Sequence, residues 1–264
     1  MQWTERQAAM LRAMGVRLWA RPPSAPGVDA GETVAASGAP ETPAAPLGAP
    51  ASVPLAEPVE APARGTPPVA ALDWEPLRER VAGCTACRLC ESRRQTVFGV
   101  GNTRAHWMIV GEAPGEQEDQ QGEPFVGKSG QLLDNMLRAV RLTRAEAAPA
   151  QQVYIANTIK CRPPGNRNPA ADELAQCEGY LIRQIQLVQP KIILAMGRFA
   201  VQSLLRSADP VGRLRGRVHR YQGVPLIVTY HPAYLLRNLE DKAKAWEDLC
   251  LAVETARGDQ VGNP

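Results

Sequence analysis

The sequence predicts an α/β fold, a three-layer α/β/α sandwich around a central four-stranded, mainly parallel sheet. Three observations carry that expectation. Short apolar runs at Trp107 to Val110, Val153 to Ala156, Lys191 to Met196 and Pro225 to Tyr230 alternate with longer helical segments, the pattern of strand-helix-strand units. The runs are apolar nearly throughout, as in strands covered on both faces. Each then meets a glycine or a polar residue, and open sheets of this kind bind ligands beyond the carboxyl ends of their strands.

The 264 residues divide unevenly, because half of the 24 prolines fall between Pro22 and Pro68. Residues 22–70 are mostly Ala, Pro, Gly, Ser and Thr, too little apolar surface to offset the entropy of ordering them, and read as a disordered linker. Residues 71–257 are long enough for one domain with a real core, and 258–264 form a disordered tail. Residues 1–21 suggest a short helix capped by Thr4, whose Met10, Leu11, Met14, Leu18 and Trp19 form an apolar face suited to a partner's groove. From residue 71 onward 25 Lys and Arg oppose 21 Asp and Glu, a basic excess that tolerates nucleic acid. With no signal-like start and no apolar run of membrane-spanning length, a soluble, cytoplasmic protein is expected. Six cysteines in such a chain favour metal ligation or buried thiols over disulfides.

Along the chain, a helix from Leu72 to Val81 leads into Cys84-Thr-Ala-Cys87, whose spacing points two sulfurs at one centre. That pair is compatible with zinc, an iron–sulfur cluster or a redox pair, with further ligands drawn from Cys90, Cys161, Cys177 and Cys250. Phe98 to Asn102 is a glycine-punctuated turn. The first strand delivers Glu112 in Gly111-Glu-Ala-Pro-Gly115, a polar loop covers Glu116 to Gly122, and Phe125 precedes a helix from about Gln131 to Arg141. Gly127-Lys-Ser129 is no phosphate loop, since the segment follows a loop and no strand precedes it. The second strand ends at Asn157, and a proline-rich loop from Lys160 to Pro169 precedes a helix carrying Cys177. The third strand ends at Gly197 before a helix to about Arg206, and Arg213 to Arg220 is an arginine-rich stretch read as phosphate contact or solvated strand face. The fourth strand delivers His231-Pro-Ala-Tyr-Leu-Leu-Arg237, and a last helix, Asp241 to Ala256, holds Cys250 as a buried thiol.

Glu112, Asn157 and His231 thus share one rim, with Phe125 nearby, a small polar pocket for a planar heterocycle. The motifs Gly-Glu-Ala-Pro-Gly-Glu, Pro-Phe-Val-Gly-Lys, Asn-Thr-Ile-Lys-Cys-Arg-Pro-Pro and His-Pro-Ala-Tyr-Leu-Leu-Arg-Asn resemble the iron–sulfur family 4 uracil-DNA glycosylases, from Cys84 to Asn238. The resemblance implies a base-excision repair enzyme, expected as a monomer, that flips uracil from DNA and cuts its glycosidic bond; the alternative is a noncatalytic iron–sulfur DNA-binding or replication-accessory protein on the same fold. It implies a [4Fe-4S] cluster on Cys84, Cys87, Cys161 and Cys177, leaving Cys90 over and pinning the Cys161–Cys177 loop beside DNA. It assigns stacking to Phe125, base reading to Asn157, exclusion of the thymine methyl to Glu118, and backbone contacts to Gly111 and Ala113. His231 would stabilise the departing base and Glu112 would handle the water, since Ala113 stands where the family 1 enzymes keep an aspartate. Leu235 matches the wedge that fills the vacated stack, with Lys160 and Arg237 as phosphate contacts. Residues 1–21 also resemble the tail of the clamp-loader psi subunit, implying a replication clamp loader as partner.

Overall fold

The protein is described by a computed structural model covering residues 67–258. The helical peptide and its clamp-loader contact, nearly all of the linker and residues 259–264 lie outside the described residues. Residues 67–70, expected in the linker, belong to the domain, where Val69 opens a short 3-10 turn and packs against the core. Among the described residues no helix is long and apolar enough to cross a membrane.

One sheet of six strands runs through the domain: β1 (Val100–Gly101), β2 (Trp107–Gly111), β3 (Val153–Asn157), β4 (Ile192–Met196), β5 (Val218–Tyr221) and β6 (Val224–Thr229), in spatial order β1-β3-β2-β4-β6-β5. The inner four are parallel and are the four expected strands. Antiparallel edges β1 and β5 bring the total to six rather than four. β1 escapes sequence reading because it is two residues of a glycine turn. A Cβ at Gly101 would come within 1.9 Å of the Val153 carbonyl oxygen, so glycine is what lets the chain lie against β3. β5 carries part of the arginine-rich stretch on an exposed edge, where charged side chains oppose further strand pairing.

Alternate residues of the inner strands fill two cores. Ile109, Ile155, Leu194 and Ile227 face one side; Met108, Val110, Ala156, Ile193, Ala195 and Val228 face the other. The first side is covered by α4 (Lys128–Ala139), whose Leu132, Leu133, Met136 and Leu137 form one stripe, and by the C-terminal helix α9 (Asp241–Gly258). On the second side lie α5 (Ala171–Val188) and α6 (Arg198–Leu205). A third cluster, under the cysteines, gathers Leu72, Phe98, Ile159, Tyr180 and, from α1 (Trp74–Ala82), Leu77 and Val81. Short helices α2 (Leu89–Ser92), α7 (Val211–Leu214) and α8 (Pro232–Leu235) complete the set.

The polar segment after Gly115, expected as loop, is a helix, α3 (Glu116–Gln121). It has no apolar stripe to reveal it. Two buried carboxylates anchor it instead, Glu118 as described below and Asp119 by accepting the N–H groups of Arg94 at 2.9 Å and Gln95 at 3.4 Å.

Candidate active site and cysteine centre

β2 and β3 pair in register so that Gly111 stands beside Asn157. A Cβ on Gly111 would meet Asn157 Oδ1 at 2.4 Å and the Phe125 ring at 2.6 Å, so the missing side chain lets these groups converge. Phe125 is buried and held at φ 56°, a left-handed conformation costly for an aromatic residue, on the order of 1–3 kcal/mol. Its neighbours enforce it. Glu118 accepts the N–H groups of Val126 (2.9 Å) and Gly127 (3.1 Å), and Arg144 donates to the Pro124 carbonyl (2.9 Å). The Phe125 carbonyl occupies the space where a Gly130 side chain would begin.

His231 follows β6 and caps α8. Its ring stacks on Phe125 with centroids 5.2 Å apart and planes at 27°. Because Nδ1 accepts the Ala233 N–H at 3.2 Å, the proton of the neutral ring sits on Nε2. Its surface is only partly covered, yet close packing desolvates the ring and lowers its pKa to about 4, with Arg237 assisting and Glu118 opposing. His231 is therefore a neutral hydrogen-bond donor at ordinary pH. Gly197, at φ 87°, leaves it room, since a Cβ there would sit 3.1 Å from His231 Cβ.

Asn157 is 2% exposed, and its Oδ1 is buried with no hydrogen-bond partner among the described residues. Such an orphaned acceptor costs about 1–3 kcal/mol unless a ligand satisfies it. Glu112 follows β2, half-buried, and burial raises its carboxyl pKa while Arg198 opposes the rise. Its backbone is fixed by Thr158, whose hydroxyl donates to the Glu112 carbonyl at 2.5 Å. Glu112, Ala113, Glu118, Phe125, Asn157, His231 and Arg237 all line one cleft of about 1920 Å³.

Cys84, Cys87, Cys161 and Cys177 line a second, much smaller hollow, walled by Val81, Leu89, Ile159 and Tyr180. Cys161 Sγ accepts from Arg93 Nη1 at 3.2 Å and Cys177 Sγ from the Lys160 N–H at 3.3 Å. Burial raises the pKa of Cys87, Cys161 and Cys177, the last to about 12, and nearby cysteines push in the same direction. Buried thiols such as these three ionise readily only when a cationic centre binds them. Among the described residues no three His, Cys, Asp or Glu side chains converge on a position for a single metal ion.

The sequence compares with known proteins in the same sense. The profile of the Uracil DNA glycosylase superfamily matches residues 98–250. The chain belongs to the uracil-DNA glycosylase superfamily. Its relatives include the type-4 uracil-DNA glycosylase of Archaeoglobus fulgidus, 40% identical over 164 residues that span 59% of this chain and 79% of the relative. The type-4 enzyme of Thermotoga maritima is 40% identical over 172 residues, 64% and 86% of the two chains. That of Pyrobaculum aerophilum is 38% identical over 190 residues, 68% and 93%.

Within this glycosylase two expected DNA contacts are misplaced. Leu235 is fully buried in the core beneath α8, because the helical turn points it inward; its neighbour Leu236 is 41% exposed. Lys160 is 1% exposed, and its Nζ donates to the Asn157 carbonyl (2.8 Å) and to Gln184 Oε1 (2.7 Å), so it does not reach phosphate. Burial lowers its pKa to about 8. Arg237 is exposed on the cleft as expected. In the arginine-rich stretch, Arg215 is committed to Asp248 at 3.0 Å and Glu247 at 2.9 Å, Arg213 to Asp209 and Arg220 to the Gly223 carbonyl, which favours the structural reading. Cys90 does not line the cysteine cavity, and Cys250 is only partly buried, against the first core. Gly111 shapes the cleft from behind without lining it. Sequence reading passed over Arg198, Ser129 and Asn166 in the cleft. Arg198 directly follows the third parallel strand and Gly197, so the strand-end rule used for Glu112 would have found it.

Proposed function

We propose that the cleft receives uracil flipped out of DNA and hydrolyses its glycosidic bond, with Asn157 reading the base and Glu112 and His231 acting on the bond and water. The carrying observation is the buried, unpartnered Oδ1 of Asn157 between Gly111 and Phe125. Uracil offers an N3–H donor for that oxygen and an O4 acceptor for the adjoining amide N–H; cytosine presents the reverse pattern and leaves both unsatisfied. Phe125, locked in place, gives the flat ring an apolar face. The Glu118 carboxylate is occupied by the N–H groups of Gly115, Val126 and Gly127. It therefore excludes a C5 methyl by fixing the two loops around the base.

As the C1′–N1 bond breaks, its electron pair leaves on uracil and charge spreads over N1 and O2. The Nε2–H of neutral His231 is suited to donate to that oxygen, in a site already oriented before reaction. Water adds to C1′ and gives its proton to Glu112, leaving an abasic sugar and the uracil anion, which takes up a proton from solvent as it departs while Glu112 releases its own. A carboxyl whose pKa is raised by burial is a stronger base for this task. Arg198 and Arg237, exposed on the cleft, suit the flanking phosphates, and Leu236 the vacated stack.

Cys84, Cys87, Cys161 and Cys177 would hold a [4Fe-4S] cluster. Four thiols and an apolar wall fit it, and N–H donors already meet two of the sulfurs. A tetrahedral zinc site would require sulfurs about 3.8 Å apart, whereas a cube takes one cysteine at each of four separated corners. When bound, the cluster would supply a rigid, negatively charged tie between the loop after α1, the β3–α5 connection and α5. The test is excision from oligonucleotides carrying one uracil, one cytosine or one thymine at the same position. Release of uracil alone is expected, and no release from the uracil strand would overturn the reading; iron content and absorbance near 400 nm test the cluster separately.

A further inference from the structure

We propose that Lys160 is a positioning residue that sets uracil-reading Asn157 from behind and ties that setting to the four-cysteine centre; this rests on the reading of Asn157 and of the cysteines given above. The Lys160 side chain runs through the interior between the two hollows. Its ammonium donates to the main-chain carbonyl of Asn157 at 2.8 Å and to Gln184 Oε1 at 2.7 Å. Gln184 is itself immobilised, donating through Nε2 to the Phe98 carbonyl at 2.8 Å and the Tyr154 hydroxyl at 3.1 Å. At the other end, the Lys160 N–H donates to Cys177 Sγ at 3.3 Å, and Cys161 is the next residue. One residue thus touches the base-reading strand end, a fixed glutamine and the metal-side sulfurs.

The arrangement is unusual for a lysine. Long ammonium side chains are almost never fully buried without a carboxylate, and no ion pair of Lys160 with Asp or Glu is found among the described residues. Cys177, whose sulfur accepts the Lys160 N–H at 3.3 Å, and Cys161, the next residue, are the two ligand cysteines beside it. Four thiolates around an iron–sulfide core carry net negative charge, which would offset the burial of this cation and keep it on the Asn157 carbonyl. The Asn157–Thr158 peptide is held from two sides, the Thr158 N–H donating to the Gly111 carbonyl at 3.1 Å and the Lys160 ammonium donating to the Asn157 carbonyl at 2.8 Å, so the strand end that carries the reading amide is set by β2 and Lys160 together. A misoriented amide would lose both hydrogen bonds to uracil without any change in the cleft's other residues.

The experiment compares wild type with Lys160→Met, which keeps the length and apolar stem but removes the charge and donors. Readouts are iron content, the 400 nm absorbance, inhibition by free uracil, affinity for uracil-free DNA, and single-turnover excision. Lys160→Met should retain iron and DNA affinity while inhibition by free uracil and the excision rate both weaken about ten- to a hundredfold, the range expected for losing a hydrogen bond from a charged group. An iron-replete Lys160→Met protein with wild-type uracil inhibition and rate would overturn the proposal. Asn157→Ala separates the two readings: if it also leaves uracil inhibition unchanged, the assignment of Asn157 fails, whereas a loss confined to Asn157→Ala sinks only the role of Lys160. Should Lys160→Met lose iron or fail to fold, Gln184→Leu keeps the ammonium but removes one of its two acceptors. Weakened uracil inhibition in iron-replete Gln184→Leu then supports the proposal, and unchanged inhibition overturns it.

Discussion

The base cleft draws its residues from the ends of parallel strands, Glu112 after β2, Asn157 on β3, Arg198 after β4 and His231 after β6. The cysteine cavity draws its sulfurs from the loop after α1, from the connection beyond β3 and from α5. The cleft is wide and polar, with an orphaned acceptor awaiting a ligand; the cavity is small, apolar and ringed by thiols. Both share the chain from Asn157 to Cys177, and that segment's Pro163, Asn166 and Asn168 return to line the cleft. A sheet places strand-end residues accurately but does not place the long loop that completes the site. On the function proposed above, a cluster held by the four cysteines would do that, dividing chemistry and scaffolding between two hollows.

That division is broken most severely by the cleft variants. Glu112→Gln should slow single-turnover excision about 10²- to 10⁴-fold, the usual range for a lost general base, with little change in melting temperature. Its pH profile sharpens the point. Because burial raises the Glu112 pKa and the carboxylate is the active form, the wild-type rate should fall as pH drops through that elevated value. The limb should vanish in Glu112→Gln, and no second limb should appear near the ordinary histidine pKa, since His231 stays neutral down to about 4. His231→Leu should cost about 10²- to 10³-fold in rate, again measured in single turnover.

On the cavity side the order of effects reverses. Cys161→Ser should abolish iron binding and lower the melting temperature by on the order of 10 °C, which calorimetry and iron assay would register before any activity is measured. If iron-free protein melts at the wild-type temperature, the cavity is not a cross-link. At the rim, Leu236→Ala should reduce excision from duplex DNA about tenfold with little effect on single strands, the wedge acting only where a stack must be refilled. Leu235→Ala should instead cost about 2–5 kcal/mol of stability and leave the duplex-to-single-strand ratio unchanged. The smallest effect is expected for Arg237→Gln, which should lower the slope of log affinity against log salt by about 1.

Leu235 and Lys160 show where sequence reading reached its limit. The motif surrounding Leu235 is legible, but two adjacent leucines differ only in which way a four-residue helix turns, and packing against the core decides that. Lys160 follows the same logic: a lysine in a basic, proline-rich stretch suggests phosphate, while the fold buries it between Asn157 and Gln184. Helix α3 was missed because hydrogen bonds accepted by two buried carboxylates, rather than an apolar face, anchor it.

The sequence by itself determined the four parallel strands and the rim formed by their ends, because strand burial writes itself into residue types at short range; the residues alone left the cysteine set open among Cys90, Cys161, Cys177 and Cys250, and the family resemblance narrowed it. Only the tertiary structure decided the edge strands, the direction of Leu235 and Leu236, the left-handed Phe125 and the burial of Lys160. Each of these depends on contacts between segments far apart in the chain, where a missing Cβ or a single hydrogen bond selects among conformations that local sequence leaves equally open.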